Sequence, residues 1–266
     1  MEIIGYIASI FIGISLGLIG GGGSILTVPV LVYLFGLDAE ISTAYSLFIV
    51  GSTALVGGIR NASLGNVNYK TAVVFTIPAF IAVYLTRAYV VPAIPSEIVS
   101  IGSFLLTKDI AIMVFFAIVM LAASVSMIRN KRKDDSDENQ GEPQFNIPAI
   151  IAEGAVVGVL TGLVGAGGGF LIIPALVLFA KLPMKKAVGT SLLIIAAKSL
   201  IGFIGDVQRP DLMIDWTLLL TVTAIAIFGI FIGIYLTKFI DGKRLKKGFG
   251  WFVLVMAVYI ILRQII

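Results

Sequence analysis

A chain of 266 residues that is 59% apolar and only 13% charged cannot cover itself with a water-facing surface, for which soluble domains use roughly 25% charged residues. The net charge of +4 comes from cations clustered in short breaks between apolar blocks, which is the pattern of a polytopic protein of the lipid bilayer and excludes a nucleic-acid partner. The absence of cysteine and histidine removes disulfides, thiolate nucleophiles, His-ligated metals and imidazole relays, so no metal or cofactor is expected.

In chain order, the first apolar block runs from Ile3 to Leu37 and is broken by Gly20-Gly21-Gly22-Gly23. It divides into Ile3–Ile19 and Ser24–Phe35, predicted helices of ~25 Å and ~18 Å, each short of the ~30 Å hydrocarbon core. Met1-Glu2 has no basic n-region, so this block is expected to stay in the membrane and not to be a cleaved signal. Spans follow at Ser42–Ile59, Thr71–Val90 and Ile110–Ile128, with Arg60–Lys70 and the segment from Pro92 to Asp109 as loops. Residues 129–146 are the one sustained hydrophilic run and read as a solvated linker. Beyond it, Phe145–Ala180 is a second glycine-broken block, and spans are predicted at Ala187–Ile204, Trp216–Ile240 and Gly248–Ile265.

The two halves repeat each other. At a constant offset of 145 residues, Gly17–Leu31 and Gly162–Leu176 agree at eight of fifteen positions, including Pro29 with Pro174. The register continues through Ser46 with Ser191 and Gly57 with Gly202, and with small shifts Asn68-Tyr69 echoes Asp215-Trp216 while the segment Tyr84–Arg87 echoes Tyr235–Lys238. If each broken block returns to the side it entered from, fourteen of nineteen basic residues fall on the side of the linker and Arg87, Lys108, Arg209 and Arg263 fall outside. A single crossing by the second block would split them eight to ten, against the positive-inside rule. The expected fold is therefore an all-α integral membrane protein of two inverted repeats, 1–128 and 147–266. Each repeat is a glycine-tipped broken-helix hairpin followed by three transmembrane helices, and the linker 129–146 is cytoplasmic.

Backbone that leaves helical geometry inside a bilayer must be satisfied by protein, water or ligand. A helix restarting after glycines offers free N–H groups and a positive dipole end, which suit an anion. The candidate substrate-binding residues are Gly20, Gly21, Gly22, Gly23, Ser24 and Thr27 of the first tip, with Ser24 as a possible helix cap, and Gly165, Gly167, Gly168 and Gly169 of the second. Ser46, Thr190 and Ser191 supply hydroxyls, the equivalent Ser46 and Ser191 being expected to face one site. Lys198, a charge inside a span where the repeat partner is Thr53, is the candidate counter-charge. Glu153 is a candidate coupling carboxylate, and Arg60 and Asn61 candidate gating residues. Competing explanations are close packing of small residues for the glycines, back-bonds to their own helix for the hydroxyls, and snorkelling to the interface for Lys198.

The segments GLIGGGGSILTVPVL and GLVGAGGGFLIIPAL, followed by AYSLFIV and GTSLLII, resemble the TauE/SafE family of membrane permeases. The resemblance implies a transporter of sulfur-containing anions, sulfonates or sulfite, in the bacterial inner membrane; the charge count puts the C-terminus on the periplasmic or extracellular side. Proton or sodium coupling and a homo-oligomer are left open. In this chain Tyr45 stands where the second half has Thr190, a departure expected to reshape the pocket. An anion channel, or a carrier of a non-sulfur anion, is the alternative. An enzyme is not expected, because neither HExxH nor GxSxG is present.

Overall fold

The computed structural model describes residues 2–101, 104–129, 147–164, 169, 172–173, 176, 182–208, 212–237, 239 and 242–265. Among the described residues ten helices carry the architecture: α1 (Glu2–Ile19), α2 (Ser24–Leu34), α3 (Ala39–Ser63), α4 (Tyr69–Leu85), the short α5 (Val91–Ala93), α6 (Lys108–Arg129), α7 (Ile147–Val164), α8 (Met184–Val207), α9 (Trp216–Leu236) and α10 (Gly242–Ile265). A π-helical turn, Thr86–Val90, joins α4 to α5. Among the described residues, four segments are long and apolar enough to cross a membrane: Ala39–Ser63, Tyr69–Ala93, Lys185–Val207 and Trp216–Leu236. The linker lies almost wholly outside the described residues.

The helices pack in exchanged pairs. α1 packs on α9, and α7, its counterpart 145 residues on, packs on α4. Both contacts are parallel seams of small residues. A Cβ on Gly13 would lie 1.9 Å from the Ala226 carbonyl oxygen, and one on Gly17 2.5 Å from that of Ile230. On the other seam, a Cβ on Gly154 would lie 2.7 Å from the Phe75 carbonyl and one on Gly158 2.4 Å from that of Ala79. Side chains this small let backbones approach in a bilayer, where apolar burial alone gives helices no reason to associate. Gly17 and Gly162, at the edges of the two glycine clusters, belong to these seams.

α3 and α8 run antiparallel, Gly51 against Leu200 and Gly58 against Leu193. That register places Thr53 opposite Lys198, at mid-length of both helices. α4 packs on α8, α9 on α3, and α6 on α10.

The helical expectation fails at one place. The loop expected before Lys108 forms a β-hairpin, β1 (Glu97–Ile101) with β2 (Phe104–Thr107), in antiparallel register from Glu97 opposite Thr107 to Ile101 opposite Phe104. The β-branched Ile98, Val99 and Ile101 favour strand, and a span-by-span hydropathy count does not register so short a segment. Lys108 then bridges to Glu40 at 3.0 Å, and the Glu40 amide donates to Asp109 at 3.2 Å, tying the hairpin and α6 to the start of α3.

Candidate functional site

The first broken block is a hairpin that starts and ends on one side, with Tyr6 near the start of α1 against Phe35 just after α2. Its turn is built by three different glycine demands. Gly20 has φ of +76°, the left-handed region that other residues enter at a cost. A Cβ on Gly23 would sit 2.2 Å from the Ile12 carbonyl, so Gly23 lets the hairpin close on its own first arm. A Cβ on Gly21 would lie 2.4 Å from the Gly169 carbonyl carbon, and one on Gly169 2.5 Å from the Gly21 Cα. The two glycine-broken blocks therefore touch backbone to backbone. Gly22 is buried between these contacts; Gly165, Gly167 and Gly168 lie outside the described residues.

Ser24 does not cap α2. Gly23 is the N-cap, and the Ser24 hydroxyl donates to the Gly21 carbonyl at 2.7 Å, while Thr27 donates back to Gly23 at 3.3 Å. Both hydroxyls serve the turn's own carbonyls. Pro29 lies inside α2.

One face of α8 meets the first turn and Gly169 of the second block. Ser191 Oγ lies 3.1 Å from the Gly20 carbonyl and 2.8 Å from the Val188 carbonyl of its own helix. One turn on, Ile195 lies against Gly169. A further turn brings Lys198, fully buried, whose Nζ donates to Thr161 Oγ1 at 2.8 Å. Lys198 therefore does not snorkel. Thr161 is in the last turn of α7, where the helix dipole presents roughly half a negative charge. A hydroxyl and a half-dipole offset an ammonium only in part, and Lys198 has no carboxylate partner among the described residues. The equivalent Thr53 is also buried, and its Oγ1 has no partner among the described residues.

The equivalent serines do not share a site. The antiparallel register sets Ser46 about fourteen residues, ~21 Å, from the level of Ser191. Ser46 lies toward the end of the molecule that bears the β-hairpin, with its hydroxyl buried and unpartnered among the described residues. Thr190 is a latch at the other end: its Oγ1 accepts from the Asn68 amide at 2.9 Å, and Asn68 in turn caps α4 through the Thr71 amide. Tyr45, its repeat equivalent, does the same with a longer arm. Its hydroxyl accepts from the amide of Asp215, which caps α9 through Leu218. The departure at Tyr45 thus preserves a latch.

The remaining candidates lie away from Lys198. Glu153 is half-buried on α7, eight residues or ~12 Å before Thr161. Arg60 is exposed, and Asn61 is buried on the Gly57 carbonyl at 2.9 Å.

Arg87, expected on the side away from the linker, is fully buried in the π turn. Its Nε donates to Asp206 Oδ2 at 2.8 Å, and its Nη1 to Thr43 Oγ1 at 2.9 Å and to the Gly162 carbonyl at 3.2 Å. Asp206, expected in a polar loop, is in α8, which runs through Val207. Two signals were available. Arg87 closes the repeated segment Tyr84–Arg87, and Asp206 lies two residues past the predicted end of a span at Ile204.

The comparisons agree with this architecture. The family model described as "Sulfite exporter TauE/SafE" matches residues 6–260. The chain belongs to this family. A "Probable membrane transporter protein" of Xylella fastidiosa (strain 9a5c) is 31% identical over 95% of this chain and 92% of its own length. The "Probable membrane transporter protein YunE" of Bacillus subtilis (strain 168) is 27% identical over 92% of this chain and 89% of its own. No solved structure matches the chain. This TauE/SafE chain is a multi-pass, mostly helical membrane protein of a transporter family.

Proposed function

We propose that this protein is a secondary transporter of small sulfur-containing anions, sulfonates or sulfite, working by alternating access around a site at the middle of the membrane. The observation that carries the proposal is Lys198, a fully buried lysine whose Nζ is bonded, among the described residues, only to the Thr161 hydroxyl. It lies on the α8 face that meets Gly20 of the first turn and Gly169 of the second block. Uncompensated charge inside a membrane protein is expensive and is retained for function. An anion would supply the missing compensation, with turn backbone and the Ser191 hydroxyl as further contacts. The sulfur in the substrate rests on the family alone.

In this proposal repeats 1–128 and 147–266 are inverted, a view favoured by the antiparallel α3 and α8 and by the exchanged seams. One repeat rocks against the other, the linker 129–146 is cytoplasmic in the bacterial inner membrane, and the C-terminus and β-hairpin face the periplasm. Proton or sodium coupling fits the same frame, with Glu153 a carboxylate at one end of α7 and Arg60 and Asn61 at the mouth opposite the hairpin.

The test is binding of sulfite, sulfate, thiosulfate, sulfoacetate, taurine and lactate to purified protein and to Lys198→Ala and Gly22→Leu variants. Binding of a sulfur oxyanion or sulfonate, weakened in both variants, is expected; undiminished binding in folded variants would place the site elsewhere, and preference for lactate would exclude the sulfur class. Flux into proteoliposomes under proton and sodium gradients separates a coupled carrier from a channel, which cannot accumulate its anion against a gradient.

A further inference from the structure

Arg87 has more donors than the fold uses. Its Nε and Nη1 serve Asp206, Thr43 and the Gly162 carbonyl, but Nη2 is buried with no partner among the described residues. A buried donor left unpaired is costly and calls for an explanation. The guanidinium also joins four elements, the π turn, α3, α7 and α8, so the contact bridges the two halves of the chain. π-Helical turns inside helices are frequent at functional sites.

The polar residues around it form a line. On α3, Thr43, Ser46 and Thr53 fall on one face by helical spacing, and Ser46 Oγ and Thr53 Oγ1 are buried and unpartnered among the described residues, as is Ser199 Oγ beside Lys198. Thr53 is level with Lys198, and Thr43 bonds Arg87. Buried hydroxyls without partners therefore lead from Lys198 toward Arg87 and the hairpin end. At the opposite end, the positions equivalent to Asp206 and Thr43 are Asn61 and Val188, so neither the carboxylate nor the hydroxyl recurs at those positions.

We propose that Arg87 and Asp206 form the gate at the hairpin end of the route, and that Arg87 is a second anion contact there, the passing anion taking the place of the Asp206 carboxylate on the guanidinium fork. The gate rests on the anion-transporter reading above. Chemically the exchange is even: a planar guanidinium takes a carboxylate, a sulfonate or a sulfite oxygen pair through the same forked donors. Asp206 holds the route shut until an anion competes for Arg87.

The chain contains no cysteine, so Ser46→Cys supplies a single thiol on the route. Sealed vesicles of each orientation are treated with two membrane-impermeant methanethiosulfonates, one carrying a sulfonate and one a quaternary ammonium. The Ser46→Cys protein is expected to react slowly with both. Adding Asp206→Asn is expected to raise the rate from the hairpin side by about tenfold, which corresponds to about 1.4 kcal/mol, with the anionic reagent faster than the cationic one. Adding Arg87→Gln as well is expected to abolish that preference while the site stays accessible. Unchanged labelling after Asp206→Asn overturns the gate, and equal acceleration of both reagents overturns the anion contact. Should Asp206→Asn fail to give monodisperse protein, Arg87→Lys takes its place, keeping the charge but losing the fork; a rate no higher than in Ser46→Cys alone overturns the proposal. Oxyanion binding to a Lys198→Ala variant is measured in parallel. Loss of the central site then appears there without changing labelling at residue 46, so the two proposals fail separately.

Discussion

At the end of the molecule that bears the β-hairpin, the two halves are held together by Arg87, Asp206 and Thr43, all buried. At the other end the equivalents of Asp206 and Thr43 are Asn61, folded back on its own helix, and Val188, an apolar neighbour of Gly20. Yet the latches match: Tyr45 holds the capping Asp215 at one end, and Thr190 holds the capping Asn68 at the other. The repeated positions share what the backbone requires, such as small seam residues and capped helix starts. The carboxylate of Asp206 is not repeated at Asn61. The two ends therefore differ in what it costs to part the helices, although the helices themselves are arranged alike.

The comparison breaks most readily at the buried pair. Asp206→Leu strands the Arg87 charge and is expected to destabilise the protein by about 3–5 kcal/mol, whereas Asn61→Leu forfeits one hydrogen bond, about 1 kcal/mol. Thermal unfolding of both purified variants checks this; equal losses would mean that the ends are energetically alike. The seams test the likeness instead. Gly13→Val and Gly158→Val both drive a side chain into a facing carbonyl, with an overpacking cost of about 1–3 kcal/mol, read as a lower yield of folded protein. Tolerance at one seam only would show that the paired architecture is not shared.

At the centre, Lys198→Met is expected to weaken sulfite binding by about tenfold or more, and Thr53→Val at the same level to leave it within about twofold, as isothermal titration would reveal. Comparable losses would make the centre symmetric. The smallest effects belong to the latches. Tyr45→Phe and Thr190→Val each remove one hydrogen bond to a cap, about 1 kcal/mol apiece. Faster amide exchange is expected at Asp215 in the first variant and at Asn68 in the second.

Hydropathy alone was enough to make this a membrane protein, because span length and charge are properties of local composition. The glycine breaks were equally plain, since runs of three or four glycines end a helix in any context. Individual side chains were harder to place. Lys198 stood out because a charge within an apolar run is visible without coordinates, and the packing then gave it Thr161 as its only partner among the described residues. Arg87 and Asp206 did not stand out, each falling at the frayed edge of a span where hydropathy cannot tell the last helical turn from a loop.

By itself the sequence determined the apolar spans, the repeat at 145 residues, the two glycine breaks and, through its motifs, the TauE/SafE family. All of these are written in neighbouring residues or in a constant offset. Tertiary structure alone decided which equivalent residues meet. The antiparallel register of α3 and α8 brings Thr53 level with Lys198 and carries Ser46 away from Ser191, and the π turn brings Arg87 to Asp206. Register and close approach are set where a missing Cβ admits a neighbour's carbonyl, and that complementarity involves two segments at once. No single stretch of the chain contains it.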